Sequence, residues 1–153
     1  VSSPYRRALQ TVRPLAKRLS LPISTEPDLR ERLLSADPLP QSNFLSAVRA
    51  TWDGPTHRHT GGESNQAAQA RGVAVLQRLA RDHAGGSVVV GTHGNLLALM
   101  LQYFDPDIDY TFWSSLSMPD VYRLQLETHN NHAAYERVWP PGRTVEPLLT
   151  AGK

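Results

Sequence analysis

Two apolar runs separated by a five-residue break occupy residues 87–101, SVVVGTHGNLLALML, and this stretch constrains the fold more than any other. Val88, Val89 and Val90 are β-branched and apolar without alternation, the pattern of a strand covered on both faces, as parallel strands between helices are. Gly91 and Gly94 allow a tight turn, and Asn95 to Tyr103 then reads as a helix buried nearly all round. A strand that turns directly into a helix places the turn at the carboxyl edge of a sheet. The free N–H groups and positive end of the helix then face whatever binds there. His93 stands in that turn, so the expectation is an anion site that holds an imidazole.

Length and composition narrow the rest. A chain of 153 residues with 40% hydrophobic content is expected to form a single domain, 1–153, with a real core. Sixteen basic against 14 acidic residues leave a formal charge of only +2, which gives no reason to invoke nucleic acid or a membrane surface. Cysteine is absent, which removes disulfides and thiolate metal sites and makes a cytoplasmic setting the default. No apolar run approaches the roughly 20 residues needed to span a bilayer.

Along the chain, Ser3 is a good N-cap and Pro4 suits the first helical position, with Ala8, Val12, Leu15 and Leu19 on one face behind them. Pro14 interrupts that pattern and predicts a kink or restart near Arg13. Arg6 and Arg7, taken alone, read as a solvated face. Leu21 to Ser24 reads as a short strand, and Phe44 to Trp52 as a short helix with Phe44, Leu45, Val48 and Trp52 inward. Residues 53–62, DGPTHRHTGG, form a loop by composition. The His57-x-His59 pair within it lacks a third ligand at a recognisable spacing, so both read as loop histidines and no metal is expected. Glu63 and Ser64 open a helix striped by Val73, Leu76, Leu79, Ala80 and His83. A carboxylate in a first helical turn ordinarily complements the dipole; beside a phosphate it can act as a general acid. Asp120 to Glu127 and Ala133 to Trp139 read as a hairpin around a turn at His129–His132. Residues 143–153 lack periodicity and are expected to be a partly disordered tail.

Four pieces combine. Residues 2–11, SSPYRRALQT, resemble the strand-to-helix motif of the histidine phosphatase superfamily, also called the phosphoglycerate mutase-like family. Asp28-Leu29-Arg30-Glu31, Gly62-Glu63-Ser64 and Gly91-Thr92-His93-Gly94 follow in that family's order, and the resemblance runs to about Trp139. It implies a phosphoglycerate mutase-like α/β fold: a three-layer sandwich with a mostly parallel central sheet and helices on both faces. It also implies a phosphomonoester phosphatase or mutase working through a phosphohistidine, on phosphate or a small phosphorylated metabolite, without a cofactor. Carried over residue by residue, Arg7 clamps the phosphate and His93, with Gly94 and Asn95 at the helix start, binds phosphoryl oxygens. Glu63 protonates the leaving oxygen, making Glu63 and His93 the catalytic pair. The loop before the Glu, here 37–62 with His57 and His59, selects the substrate. A phosphoryl group carries its charge on peripheral oxygens, so an Arg fork, an imidazole and helix N-termini suit it.

The family's nucleophile lies in an Arg-His-Gly motif upstream of Ser-Ser-Pro, and no part of this sequence matches it. Arg58-His59 is the only Arg-His pair and falls in the wrong loop. The chain is therefore expected to be N-terminally incomplete and inactive by itself, lacking the nucleophile and a central strand beside Val88–Val90. The alternative is a non-catalytic phosphate-binding or protein-interaction module of the same fold. Strand edges without a neighbour would also make a homodimer an expected partner.

Overall fold

A computed structural model describes residues 1–126 and 133–139. The core forms around the second apolar run. Leu96, Ala98, Leu99, Met100 and Leu101 are at most 2% exposed, and the helix that carries them, α4 (Gly94–Gln102), is buried as its composition demands. Each leucine so buried contributes about 1.5–3 kcal/mol. The long helix α3 (Asn65–Asp82) lies against it through Ala68, Val73, Val75, Leu76 and Leu79. Gly72 permits the close approach, because a Cβ there would stand 2.8 Å from Met100 Cγ and 3.0 Å from Leu96 Cδ1. Ser64 caps α3, its Oγ accepting from the Ala67 N–H at 3.2 Å.

The helix α2 (Gln41–Asp53) adds Ala47, Val48, Thr51 and Trp52 to the buried set. Phe44 and Leu45, expected inward, are 45% and 58% exposed, since the inward face begins one turn later. His83 likewise stands exposed at the C-cap of α3 rather than on its inward edge. The first helix, α1 (Arg6–Arg18), runs through Pro14 without a break. Its predicted apolar stripe is mostly open: Ala8 is buried, whereas Leu15 and Leu19 are 40% and 54% exposed. A short helix α5 (Tyr110–Ser115) and an antiparallel hairpin, β1 (Tyr122–Leu126) with β2 (Ala133–Arg137), complete the described residues. The hairpin register runs from Tyr122 opposite Arg137 to Leu126 opposite Ala133. Buried Tyr135 ties it to the loop after α4, its hydroxyl donating to Asp105 Oδ2 at 2.6 Å. No helix of the described residues is long and apolar enough to cross a membrane.

The mostly parallel central sheet is not formed as a ladder. Among the described residues the hairpin is the only regular sheet, and parallel pairing is limited to two isolated bridges from Ser2, to Thr25 and to Gly91. Three extended segments nevertheless lie side by side. Ser2 N–H donates to Ser24 O and Glu26 N–H to Ser2 O, both at 2.9 Å. On the other side Gly91 N–H donates to Val1 O at 2.9 Å and Ser3 N–H to Gly91 O at 2.7 Å, while the Val1 amine reaches Val89 O. The bonds of the middle segment to its two neighbours form isolated bridges and no regular strand. Consequently Val88–Val90 is not the doubly covered strand its composition predicts, and Val89 is 50% exposed. The expected strand at Leu21–Ser24 is displaced to Ser24–Glu26, with Leu21 60% exposed. Gly91 has a steric reason: a Cβ there would stand 2.9 Å from both Ser2 Oγ and Val12 Cγ1. The His129–His132 turn and the 143–153 tail lie outside the described residues.

Candidate active site

The parallel pairing of 1–3 with 89–91 brings the first and fourth motifs together at the head of α4. His93 is the N-cap residue of α4 and is 7% exposed. Its Nδ1 accepts from Arg7 Nε at 3.1 Å, and its Nε2 lies 2.8 Å from Ser3 Oγ. A guanidinium can only donate, so Nδ1 is the bare nitrogen and Nε2–H donates to Ser3. Burial, followed by the charges of Arg7 and Arg71, pushes the His93 pKa down to about 4, and the ring is neutral at pH 7. Tyr5 meets the imidazole edge-on at 5.1 Å and lies under the Arg7 guanidinium at 4.9 Å. Arg7 is exposed, and among the described residues its two terminal amino groups make no hydrogen bond. This cluster therefore offers a cation with spare donors beside a neutral imidazole.

The helix N-terminus next to it is already occupied. Glu31 Oε2 accepts from the Asn95 N–H at 3.2 Å and Oε1 from the Leu96 N–H at 3.1 Å. The protein's own carboxylate thus takes the place expected for a phosphate, as the positive end of a helix allows. Asn95 is 6% exposed; its Oδ1 accepts from Trp52 Nε1 at 3.2 Å, while its Nδ2 is buried without a hydrogen-bond partner. Of the two helix-start residues, only Gly94 keeps an open flank, where a Cβ would find Leu116 Cδ1 as its nearest neighbour at 3.8 Å.

Glu63 belongs to a second cluster. It sits one residue ahead of the α3 cap rather than in its first turn, with its N–H on Leu33 O at 2.7 Å. Arg71 grips it bidentately, Nε to Oε1 at 2.7 Å and Nη2 to Oε2 at 2.8 Å. The remaining amino group of Arg71 donates to Asp28 O at 2.5 Å and Arg30 O at 2.9 Å. The second and third motifs are joined by this arginine, and Thr92 Oγ1 links the fourth to them through Leu29 O at 3.1 Å.

His57 and His59 touch each other edge-on at 4.8 Å. His59 Nε2 donates to Ala47 O at 3.0 Å, a bond that fastens the loop to α2. No group of three or more metal-ligating side chains occurs among the described residues. Sequence reasoning missed Ser3 as a partner of His93, because its capping pattern was the stronger signal. It also missed Arg71, whose place eight residues after Glu63, about two helical turns, was the available clue.

The sequence profile of the histidine phosphatase superfamily (branch 1) matches residues 1–139. This chain belongs to the histidine phosphatase superfamily. Solved structures of the same α/β fold agree with that assignment. Bacillus stearothermophilus YhfR superposes with a TM-score of 0.68 at 22% identity, over 86% of this chain and 68% of its own. A structure described as mycobacterial hydrolase 1 gives 0.62 at 23%, over 97% and 73%. The mycobacterial glucosyl-3-phosphoglycerate phosphatase in complex with inorganic phosphate gives 0.61 at 23%, over 89% of this chain and 66% of its own. This histidine phosphatase chain thus spans about two thirds to three quarters of the solved structures it resembles. No curated protein sequence matches it closely enough to add to this.

Proposed function

We propose that this chain is the phosphate-binding part of a phosphomonoester phosphatase that works through a phosphohistidine intermediate. The observation that supports the reading best is the meeting of Arg7 and His93, 86 residues apart, in one hydrogen-bonded cluster with spare donors on the arginine. In this reading the Arg7 amino groups hold phosphoryl oxygens. His93, neutral and carrying its proton on Nε2, turns that proton from Ser3 Oγ toward a phosphoryl oxygen. The nucleophile is a histidine that is none of those in residues 1–153. Its ring nitrogen attacks phosphorus as the ester P–O bond breaks, and Glu63, released from Arg71 and protonated from solvent, gives that proton to the leaving oxygen. Water, giving a proton back to the Glu63 carboxylate, then cleaves the P–N bond and regenerates the imidazole. The substrate is a small phosphorylated metabolite, taken up beside the 37–62 loop.

A second reading, a phosphate-binding module without turnover, is favoured by one observation: both Glu63 oxygens are held by Arg71. Trapping of phosphoenzyme separates the two. The chain of residues 1–153 should form none from a labelled phosphomonoester, whereas a version preceded by an Arg-His-Gly strand should form an acid-labile, base-stable phosphoenzyme. In that version Glu63→Gln should slow turnover far more than it weakens phosphate binding. Absence of phosphoenzyme from the longer version would leave the binding module as the function.

A further inference from the structure

Among the described residues Arg7 makes one side-chain hydrogen bond, from Nε to His93 Nδ1, and it is exposed. A long side chain on a single bond is easily released, because rotamer entropy favours its leaving. Tyr5 supplies a second hold. The Arg7 Cζ lies 4.9 Å from the centroid of the Tyr5 ring, and the same ring meets the His93 imidazole edge-on with centroids 5.1 Å apart. An aromatic face attracts a guanidinium through its quadrupole and takes none of its strong hydrogen bonds. The ring therefore restrains Arg7 without consuming an N–H or cancelling its charge. A carboxylate does both, as Glu63 does to Arg71. Tyr5 is itself fixed: it is the N-cap residue of α1, and its carbonyl accepts from the Ala8 and Leu9 N–H groups at 3.0 and 3.1 Å. Its own N–H donates to Ser3 Oγ at 3.3 Å, the buried atom that also receives His93 Nε2–H at 2.8 Å. The ring is 40% exposed and stands outside the hydrophobic core, so core packing does not account for its place.

We propose that Tyr5 is a positioning residue: its ring holds the Arg7 guanidinium against His93 with both terminal amino groups left free for a phosphoryl group. The inference rests on the phosphate-site reading above and deepens it. The affinity of Arg7 for phosphate then depends on a ring that acts through the arginine rather than on the ligand.

The test is calorimetric titration with inorganic phosphate of wild type, Tyr5→Phe, Tyr5→Leu, Arg7→Met and the double variant Tyr5→Leu with Arg7→Met. Tyr5→Leu removes the aromatic face and should weaken binding about threefold to thirtyfold, whereas Tyr5→Phe keeps it and should stay within about twofold of wild type. In the Arg7→Met background Tyr5→Leu should weaken binding no further, the non-additivity required of a residue that acts through Arg7. A merely structural role would weaken both backgrounds alike. A second readout needs no ligand: exchange of the Arg7 Nε–H with solvent, followed by heteronuclear NMR and assigned by loss of its signal in Arg7→Met. Exchange should quicken severalfold in Tyr5→Leu and keep the wild-type rate in Tyr5→Phe. The inference is overturned if Tyr5→Leu matches wild type in phosphate affinity or in Nε–H exchange, or if Tyr5→Phe loses as much as Tyr5→Leu. It is equally overturned if the loss persists in full in Arg7→Met, or if Tyr5→Leu fails to fold. Each of these outcomes leaves the phosphate-site reading intact. Failure of folded wild type to bind inorganic phosphate removes both.

Discussion

The clusters around His93 and around Glu63 use the same residue types and are finished to different degrees. Glu63 and Arg71 form a closed set: both carboxylate oxygens are bonded, and all three guanidinium nitrogens are used. Their side chains are 18% and 10% exposed, so the pair is a buried tie between α3 and the 28–33 segment. Around His93 the imidazole is satisfied but Arg7 is not, and Arg7 is exposed. A saturated polar set marks where the fold is held, and leftover donors mark where a ligand is awaited. The family role expected of Glu63 therefore begins with a bond that must open, while the role expected of Arg7 needs no rearrangement of a tie.

The sharpest way to break this contrast is Arg71→Met. It strands a buried carboxylate and leaves two carbonyls unmatched, and it should destabilise the chain by about 3–5 kcal/mol in urea unfolding. Arg7→Met, at an exposed site, should stay within about 1 kcal/mol of wild type. Equal losses would erase the distinction between tie and site.

A smaller effect is expected from pH. Folded His93 takes up its proton near pH 4, against 6.5 for the free side chain. Between those values the unfolded chain binds the additional proton, so this component of stability is fully present above pH 6.5 and falls as the pH drops toward 4. It should amount to about 1–3 kcal/mol across the window, read as the difference between wild type and His93→Gln. Identical pH slopes for the two proteins would mean that the imidazole is not held neutral.

The smallest effect belongs to the loop. His59→Ala removes the bond to Ala47 O and should lower stability by about 1 kcal/mol, with phosphate affinity unchanged. A weakened phosphate site in that variant would make His59 a ligand contact after all.

Much of this molecule was legible from local pattern. The burial of α4 followed from its unbroken apolar composition, the capping of α3 from Ser64, and the hairpin from two strand-like runs. His93 could be placed at a helix start from the Gly-Thr-His-Gly turn alone. What could not be read were the long-range choices. Nothing in the spacing said that Glu31 would fill the helix N-terminus before a phosphate could, or that Asn95 would be drawn to Trp52. The strand at Val88–Val90 was misjudged for a related reason, since coverage depends on neighbours, and only Val1–Ser3 lies alongside it in the described bonds. Composition specifies what a segment tolerates, whereas pairing decides what it receives.

The central claim is that Arg7 and His93 form a phosphate site, and titration of the chain with inorganic phosphate at pH 7 tests it most directly. Wild type should bind one phosphate, and Arg7→Met should bind it about tenfold to a hundredfold more weakly while melting at nearly the same temperature. Binding that is undiminished in Arg7→Met, or absent from a folded wild-type chain, would contradict the account.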